Sequence, residues 1–327
     1  MDTFLQQVVN GLTAGSVYAV VALGYTMVYG IIQLINFAHG EVVMIGAMVA
    51  FTVINALVGG SLPPLAVVIL GTLSAIPICM AVGYSMERLA YRPLRRAPRL
   101  APLITAIGVS IILQHLAMLV WSRNILAFPQ IIANPTFLFF GATISALQIA
   151  IILICLAMMG GLALLVYRTR LGTAMRATAQ NPQVAGLMGV DINRVIASTF
   201  LIGAALGAVA GVLFGTYYGI AQYTMGSILG LKAFSAAVLG GIGNIPGAML
   251  GGILLGLVEA LGAGYIGDIS DLCQYGWLAG AIDACQGGGH FILFGSNYQD
   301  VFAFIVLILV LVFRPQGLLG ERVGDRA

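Results

Sequence analysis

A few polar and ionisable side chains that interrupt long apolar runs are the residues best placed to do chemistry in this sequence. Ionisable residues inside long apolar segments are costly, and they commonly mark pathways, gates or internal ion pairs. Six residues are therefore candidates for a pathway or a gate: Asn36, His39, Glu41, Gln114, Lys232 and Glu259.

The first three candidates lie where an apolar run begins, and two interpretations remain open for them. They can form an inner gate or a polar hinge. Alternatively, Asn36 caps the start of a helix at the membrane interface, and Glu41 lies favourably close to the positively polarised end of that helix.

Lys232 and Glu259 are expected to form an ion pair between two antiparallel helices. The turn at 240–247 joins their runs, with Lys232 12 residues before Asn244 and Glu259 15 residues after it. At about 1.5 Å per residue, the two side chains reach depths within roughly 5 Å of each other. We interpret the pair as structural first and substrate-facing second. Lys232 alone can instead attract a substrate carboxylate or extend its ammonium group to the membrane surface.

The histidines argue against a metal centre or a catalytic site. They are scattered at positions 39, 115 and 290, without cysteine or carboxylate partners at ligand spacing. Gln114 and His115 are neighbours on one run, so only one of them is expected to face the interior of a bundle. Neither paired carboxylates nor a Ser-His-Asp arrangement emerges. We therefore expect a chain that is not an enzyme and holds no metal or cofactor.

Composition restricts the class of protein further. Of 327 residues, 60% are apolar and only 8% are charged, with a mean hydropathy of +1.04. Soluble domains carry about a quarter charged residues. The numbers exclude an ordinary soluble enzyme, a disordered chain and a nucleic-acid-binding protein, and they indicate that membrane lipid surrounds most of the chain.

Nine apolar runs are long enough to predict membrane-spanning helices, which need about 20 residues. They lie at 9–32, 37–58, 64–88, 101–121, 145–167, 195–218, 227–243, 246–266 and 298–313. We expect an all-α, polytopic integral membrane helical bundle that forms one transmembrane domain over residues 1–327.

Three arginine clusters predict the orientation of this bundle. Five of the 13 arginines lie at 88–99, four at 168–194 and three at 314–326. The positive-inside rule assigns all three clusters to the cytoplasm. Even numbers of spans separate the clusters, and three spans precede the first. The N-terminus is therefore expected to be periplasmic and the C-terminus cytoplasmic.

Glycine stripes on two runs predict close helix packing. One glycine recurs every four residues from Gly203 to Gly219, and Gly252, Gly256 and Gly264 repeat the pattern. Small residues let helix backbones approach closely in a membrane. A sliding surface for alternating access is the second interpretation of the same stripes.

The cytoplasmic segment 168–194 is too long for a simple connection between two spans. Asn181 followed by Pro182 predicts the start of a short helix, and Gly189 predicts its end. Its apolar face either lies on lipid headgroups or docks into a soluble partner. Eight residues are candidates for coupling to an ATPase: Arg176, Asn181, Pro182, Val184, Ala185, Leu187, Met188 and Gly189.

Four segments give the chain a recognisable resemblance. They are RATAQNPQVAGLMGVDINRV at 176–195, INFAHGE at 35–41, KAFSAAVLGGIGNIPG at 232–247 and RPQGLLG at 314–320. The chain resembles the branched-chain amino acid permeases of ATP-binding-cassette importers, of the LivH type. The resemblance implies a bacterial inner-membrane location, a paralogous LivM-type permease subunit, two ATPase subunits that bind ATP and Mg²⁺, and a periplasmic solute-binding protein.

The segment at about 267–297 departs from this resemblance and is interpreted as a periplasmic insertion. Cys273 and Cys285 flank its centre, and in an oxidising compartment they can form a disulfide or remain free. Cys79 and Cys155 lie inside spans, where a thiol serves as a small apolar group.

Two further functions remain open beside the import of branched-chain amino acids. The same machinery can carry urea or short amides. A self-sufficient secondary transporter or channel is a different class, and it predicts inverted repeats with acidic residues at mid-membrane. The sequence contains no Gly-x-x-x-x-Gly-Lys-Ser/Thr phosphate loop, so ATP must be hydrolysed by a separate subunit if it drives transport.

Overall fold

In a computed structural model the chain is a bundle of helices, and the structure describes residues 2–95, 97–98, 100–139, 141–266 and 299–320. Those ranges contain α1 (Asp2–Ile32), α2 (His39–Leu57), α3 (Pro64–Ser85), α4 (Leu100–Val120), α5 (Ala146–Arg168), α6 (Arg170–Gln180), α7 (Pro182–Leu187), α8 (Ile192–Tyr218), α9 (Met225–Gly240), α10 (Ile245–Leu261) and α11 (Gln299–Phe313). Two helices continue as π-helix, α3 through Met86–Tyr91 and α10 through Gly262–Ile266.

Local sequence explains where several helices begin. Proline occupies the first or second position of α3, α7 and α10, where its missing N–H costs nothing and its fixed φ suits a helix. Ser145 and Gln148 form a reciprocal capping box at the start of α5.

The described residues include four short strands, which lie at one end of the bundle. β1 (Leu126–Ala127) pairs antiparallel with β4 (Ile220–Ala221), and β2 (Thr136–Phe139) pairs antiparallel with β3 (Ala142–Ser145). The β1–β4 pair joins the α4–α5 connection to the residues that follow α8. These two connections therefore lie at the same end.

α1 lies at the centre of the bundle and packs against α5, α8, α9 and α10, while α2 packs against α3, α8 and α9. A Cβ at Gly256 would overlap the backbone of Gly15, and one at Gly211 would overlap the backbone of Val43. The glycine stripes therefore bring backbones together, as predicted. The sliding surface for alternating access stays a prediction.

The predicted runs compare closely with the helices, with one difference. Within the described ranges, seven helices are long and apolar enough to cross a membrane, while α9 and α11 are shorter, at 16 and 15 residues. At about 1.5 Å per residue these two extend only about 24 and 22 Å. The described helices thus form a polytopic bundle. Helix length alone supports seven spans, and the count of nine stays a prediction.

Candidate functional site

Glu41 is the centre of a polar cluster that joins three helices. Its carboxylate is fully buried, and Oε1 accepts hydrogen bonds from Ser110 Oγ at 3.0 Å, Gln114 Nε2 at 2.8 Å and Ser227 Oγ at 3.0 Å. Gln114 Nε2 also donates to Ser227 Oγ. The cluster thereby ties α2 to both α4 and α9.

The starts of α2 and α9 meet at this cluster. Gly40 lies against Gly226 and Gly230, where any Cβ would collide with the facing backbone. Glu41 is in the first turn of α2, and the positively polarised N–H ends of both helices favour its negative charge. These helix ends help to stabilise the buried carboxylate, which forms no ion pair with a described residue.

The interpretation of Asn36 as a helix cap at the interface is wrong. Ala38 is the N-cap of α2, and the side chain of Asn36 instead accepts a hydrogen bond from Tyr91 Oη at 2.7 Å. Gln114, the partner of Glu41, lies 14 residues after the start of α4 at Leu100 and six before its end at Val120, about 21 and 9 Å at 1.5 Å per residue. Glu41 is therefore deep in the bundle rather than at its surface.

His39 fills a pocket that glycines leave open. Its ring lies against Gly24 of α1 and against Gly203 and Gly207 of α8, and it meets the Tyr25 ring edge-on at 5.0 Å between centroids. His39 Nε2 is buried without a hydrogen-bond partner among the described residues. The imidazole therefore acts in packing, beside the Glu41 cluster and not in contact with its hydrogen bonds.

The predicted Lys232–Glu259 ion pair is confirmed. Lys232 Nζ lies 2.6 Å from Glu259 Oε1, and both side chains are mostly buried. Lys232 also pairs with Asp300 of α11 at 2.7 Å, and Tyr18 of α1 lies within 3.4 Å of both Lys232 and Glu259. One ammonium group thus holds α1, α9, α10 and α11 together.

The segment between α5 and α8 folds as its sequence predicts. Asn181 Oδ1 accepts hydrogen bonds from the backbone N–H groups of Gln183 and Val184, and Pro182 is the first residue of α7. Gly189 follows with φ +85°, a conformation that favours glycine.

The side chains of this short helix divide into two groups. Ala185 is buried at 4% exposure, whereas Leu187 and Met188 are 87% and 81% exposed. Val184 is also exposed, so the helix presents an apolar surface that no described part of this chain covers.

Arg176, a candidate for coupling to an ATPase, contacts the end of α5. Its Nη1 donates to the carbonyl of Val166, and its guanidinium lies 5.6 Å from the centre of the Tyr167 ring. Arg176 therefore braces α6 against the end of α5.

Arg95 connects the residues that follow α3 to the start of α8. It pairs with Glu87 and donates a hydrogen bond to Asn193 Oδ1 at 2.7 Å. Burial lowers the pKa of Arg95, and the Glu87 carboxylate opposes that change.

Comparison with known proteins decides the family. Residues 7–311 match the model of the family described as the branched-chain amino acid transport system permease component. The chain is 48% identical to the high-affinity branched-chain amino acid transport system permease protein BraD of Pseudomonas aeruginosa, over 97% of this chain and 96% of that protein. It is 44% identical to the corresponding protein LivH of Escherichia coli K12, with the same coverage.

The chain belongs to this permease family. A probable branched-chain amino acid permease of Methanocaldococcus jannaschii is 29% identical over 91% of the chain and 87% of that protein. No solved structure matches the chain.

Four residues of this permease that were not predicted from the sequence contact the candidate residues. Ser110 and Ser227 donate hydrogen bonds to Glu41, Asp300 pairs with Lys232, and Tyr18 donates to Glu259. Serine and tyrosine in apolar helices carry little positional signal, and Asp300 is far from Lys232 along the chain. The structure also separates Gln114, which faces Glu41, from the exposed His115, as expected for neighbours on a helix.

Some predictions for this permease lie outside the described residues. Cys273, Cys285 and the segment 267–297 are among these, so their pairing and role stay predictions. Across the described ranges, no group of three His, Cys, Asp or Glu residues could hold a metal ion.

Proposed function

We propose that the chain is a permease subunit of an ATP-binding-cassette importer that moves branched-chain amino acids across the inner membrane. The observation that carries this proposal is the near full-length similarity to permeases named for that transport system. The chain itself is not an enzyme and needs no cofactor. ATP and Mg²⁺ are bound by separate subunits.

α7 is the element that connects the permease to its ATPase. Leu187, Met188 and Val184 present apolar side chains to the outside, which suits insertion into a groove of a soluble protein. Asn181, Pro182 and Gly189 shape the helix, and buried Ala185 anchors it. Arg176 holds α6 on α5, so movement of α7 is transmitted to a spanning helix.

The chain has nine spans, with the N-terminus in the periplasm and the C-terminus in the cytoplasm. Two hydrogen bonds between segments outside the spans agree with this arrangement. Thr143 N donates to Gln6 Oε1 near the N-terminus, at the proposed periplasmic end. Leu318 N donates to Leu239 O at 2.9 Å, which brings the C-terminal segment to the α9–α10 turn at the proposed cytoplasmic end. These contacts support the placement of the two terminal segments at opposite ends of the bundle, which requires α9 and α11 to count as spans. The choice of the cytoplasmic end rests on the arginine clusters.

The importer contains more subunits than this chain. Apolar side chains cover the outside of α3, α4, α5 and α11, and lipid and a second, paralogous LivM-type permease subunit share these faces. Two ATPase subunits bind from the cytoplasm, and a periplasmic solute-binding protein delivers the cargo. Capture by that protein leaves the permease free to bind its cargo weakly and release it.

Uptake in cells tests the proposal. A strain that lacks its own branched-chain importers is given the complete set of subunits, and uptake of labelled leucine is measured against unlabelled isoleucine, valine and urea. Competition by isoleucine and valine is the expected result. Competition by urea alone would reassign the cargo, and leucine uptake without the ATPase subunits would indicate a secondary transporter or channel.

A further inference from the structure

The polar hydrogens of the Glu41 cluster all point inward. Gln114 uses both amide hydrogens, one toward Glu41 Oε1 and one toward Ser227 Oγ. The hydroxyl groups of Ser110 and Ser227 each donate to Glu41 Oε1. The reverse orientation of the Gln114 amide would set its oxygen against the carboxylate, so this assignment is fixed by charge.

Only hydrogen-bond acceptors are therefore left to face outward. They are the amide oxygen of Gln114 and the remaining lone pairs of the two serine hydroxyl groups. Ser110, Gln114 and Ser227 are half-buried, so a part of each residue reaches the surface of the chain. Behind them lies the Glu41 carboxylate, whose Oε2 is buried and has no hydrogen-bond partner among the described residues.

No cation compensates this charge within the described part of the chain. The ion pairs found there use Glu87, Asp191, Glu259 and Asp300, and none uses Glu41. Hydrocarbon cannot satisfy exposed acceptors, since each unsatisfied polar group in a bilayer costs free energy. A surface of this composition is suited to a wet pathway and to a ligand that donates hydrogen bonds and carries positive charge.

We propose that Ser110, Gln114 and Ser227, with Glu41 behind them, form a site for the primary ammonium group of an amino acid in transit. The assignment of the ligand as cargo rests on the proposed import function. Ile107 and Ile111 of α4 and Ile228 of α9 are exposed beside the cluster and offer apolar contacts to the side chain of the cargo.

Thiol labelling tests the site without any transport. Ser227→Cys is placed in a chain carrying Cys273→Ser and Cys285→Ser, and the complete importer is studied in lipid nanodiscs. The rate of reaction is measured with 2-aminoethyl methanethiosulfonate, a primary ammonium, and with its anionic 2-sulfonatoethyl counterpart. Ser61→Cys is the matched control, because Ser61 is exposed in a connection without neighbouring charges in sequence.

We expect the ratio of ammonium to sulfonate rates at Ser227→Cys to exceed that at Ser61→Cys by about tenfold or more, because the Glu41 carboxylate attracts the ammonium reagent and repels the sulfonate reagent. Glu41→Gln should reduce the ratio to the control value, and L-leucine should slow the reaction. Ser110→Cys provides a second reporter if Ser227→Cys does not assemble.

Equal ratios at the site and the control would overturn the proposal, as would a ratio that Glu41→Gln leaves unchanged. Absence of reaction at both Ser227→Cys and Ser110→Cys would overturn it too, because the surface would then face lipid. Failure of leucine to slow labelling in an importer that transports leucine would remove the cargo from the site. Charge selectivity in an importer that does not transport leucine would instead contradict the proposed function and leave the ammonium site intact.

Discussion

Lys232 is the residue at which the four helices α1, α9, α10 and α11 meet. Two carboxylates, of Glu259 and Asp300, lie within 2.7 Å of its ammonium group. Removing one member of a buried ion pair leaves an uncompensated charge and costs about 3–5 kcal/mol. Lys232 is therefore engaged by both acids, so it holds helices together and is not free to bind a substrate carboxylate.

Charge reversal tests this structural role. Lys232→Glu should lower the melting temperature and the yield of assembled permease, since three carboxylates would then face one another. Adding Glu259→Lys restores one pair but leaves Asp300 opposed to the new acid. The triple variant with Asp300→Asn should therefore recover more stability than the double.

The recovered stability is measured by heating the purified protein to a series of temperatures and determining the folded fraction at each by size-exclusion chromatography. Arg194→Gln is the control, because it breaks an exposed ion pair that contributes about 0–1 kcal/mol. If neither multiple variant gained stability over Lys232→Glu, the pairing would not be the source of the loss.

Among the elements, α1 and α10 depend on glycine for their contact. A Cβ at Gly256 would overlap the backbone of Gly15, whereas nothing lies within 4 Å of one at Gly160 of α5. Gly256→Ala should therefore separate the helices and reduce the assembled fraction, while Gly160→Ala should be neutral or slightly stabilising because alanine favours helix. Fluorescence-detected chromatography of both variants compares them directly, and equal losses would contradict the packing.

α7 is the element whose exposed surface we assign to the ATPase. Leu187→Asp combined with Met188→Asp changes only exposed side chains, so the permease should insert and fold normally but lose co-purification with the ATPase subunits. Gln183→Asp adds a negative charge on the same helix outside the apolar surface and should retain the partner. Normal ATPase recovery with the double variant would refute the coupling assignment.

Local features of these elements could be predicted from the sequence. The cap at Asn181 and the turn at Gly189 depend on neighbours within a few residues, and the Lys232–Glu259 pair follows from one short turn and the helical rise. The Glu41 cluster could not be predicted, because it joins α2, α4 and α9 across 69 to 186 residues of sequence. Nothing in a single apolar run specifies which neighbour it contacts.

For the molecule as a whole, the helical membrane-protein class and the family could be predicted from the sequence. Composition identified a lipid-embedded bundle, and the resemblance identified the family that the full-length comparison established. Helix lengths support seven long spans and leave α9 and α11 as short ones. Whether α9 and α11 cross the membrane depends on partner subunits and lipid, which the sequence of one chain does not specify.

The apolar outer faces of this chain indicate that it works within a larger membrane assembly. Its described surface combines exposed leucine and isoleucine on several helices with the exposed apolar side chains of α7. The proposed import function requires a separate subunit to hydrolyse ATP, because the sequence contains no phosphate loop of the Gly-x-x-x-x-Gly-Lys-Ser/Thr type.

Reconstitution measures that dependence most directly. The purified permease chains are inserted into liposomes with or without the two ATPase subunits, with the solute-binding protein outside and ATP inside, and accumulation of labelled leucine is followed. We predict accumulation only in the complete assembly, and its loss when ATP is replaced by a non-hydrolysable analogue. Accumulation by the permease chains alone, driven by an imposed ion gradient, would contradict the ATP-dependent mechanism.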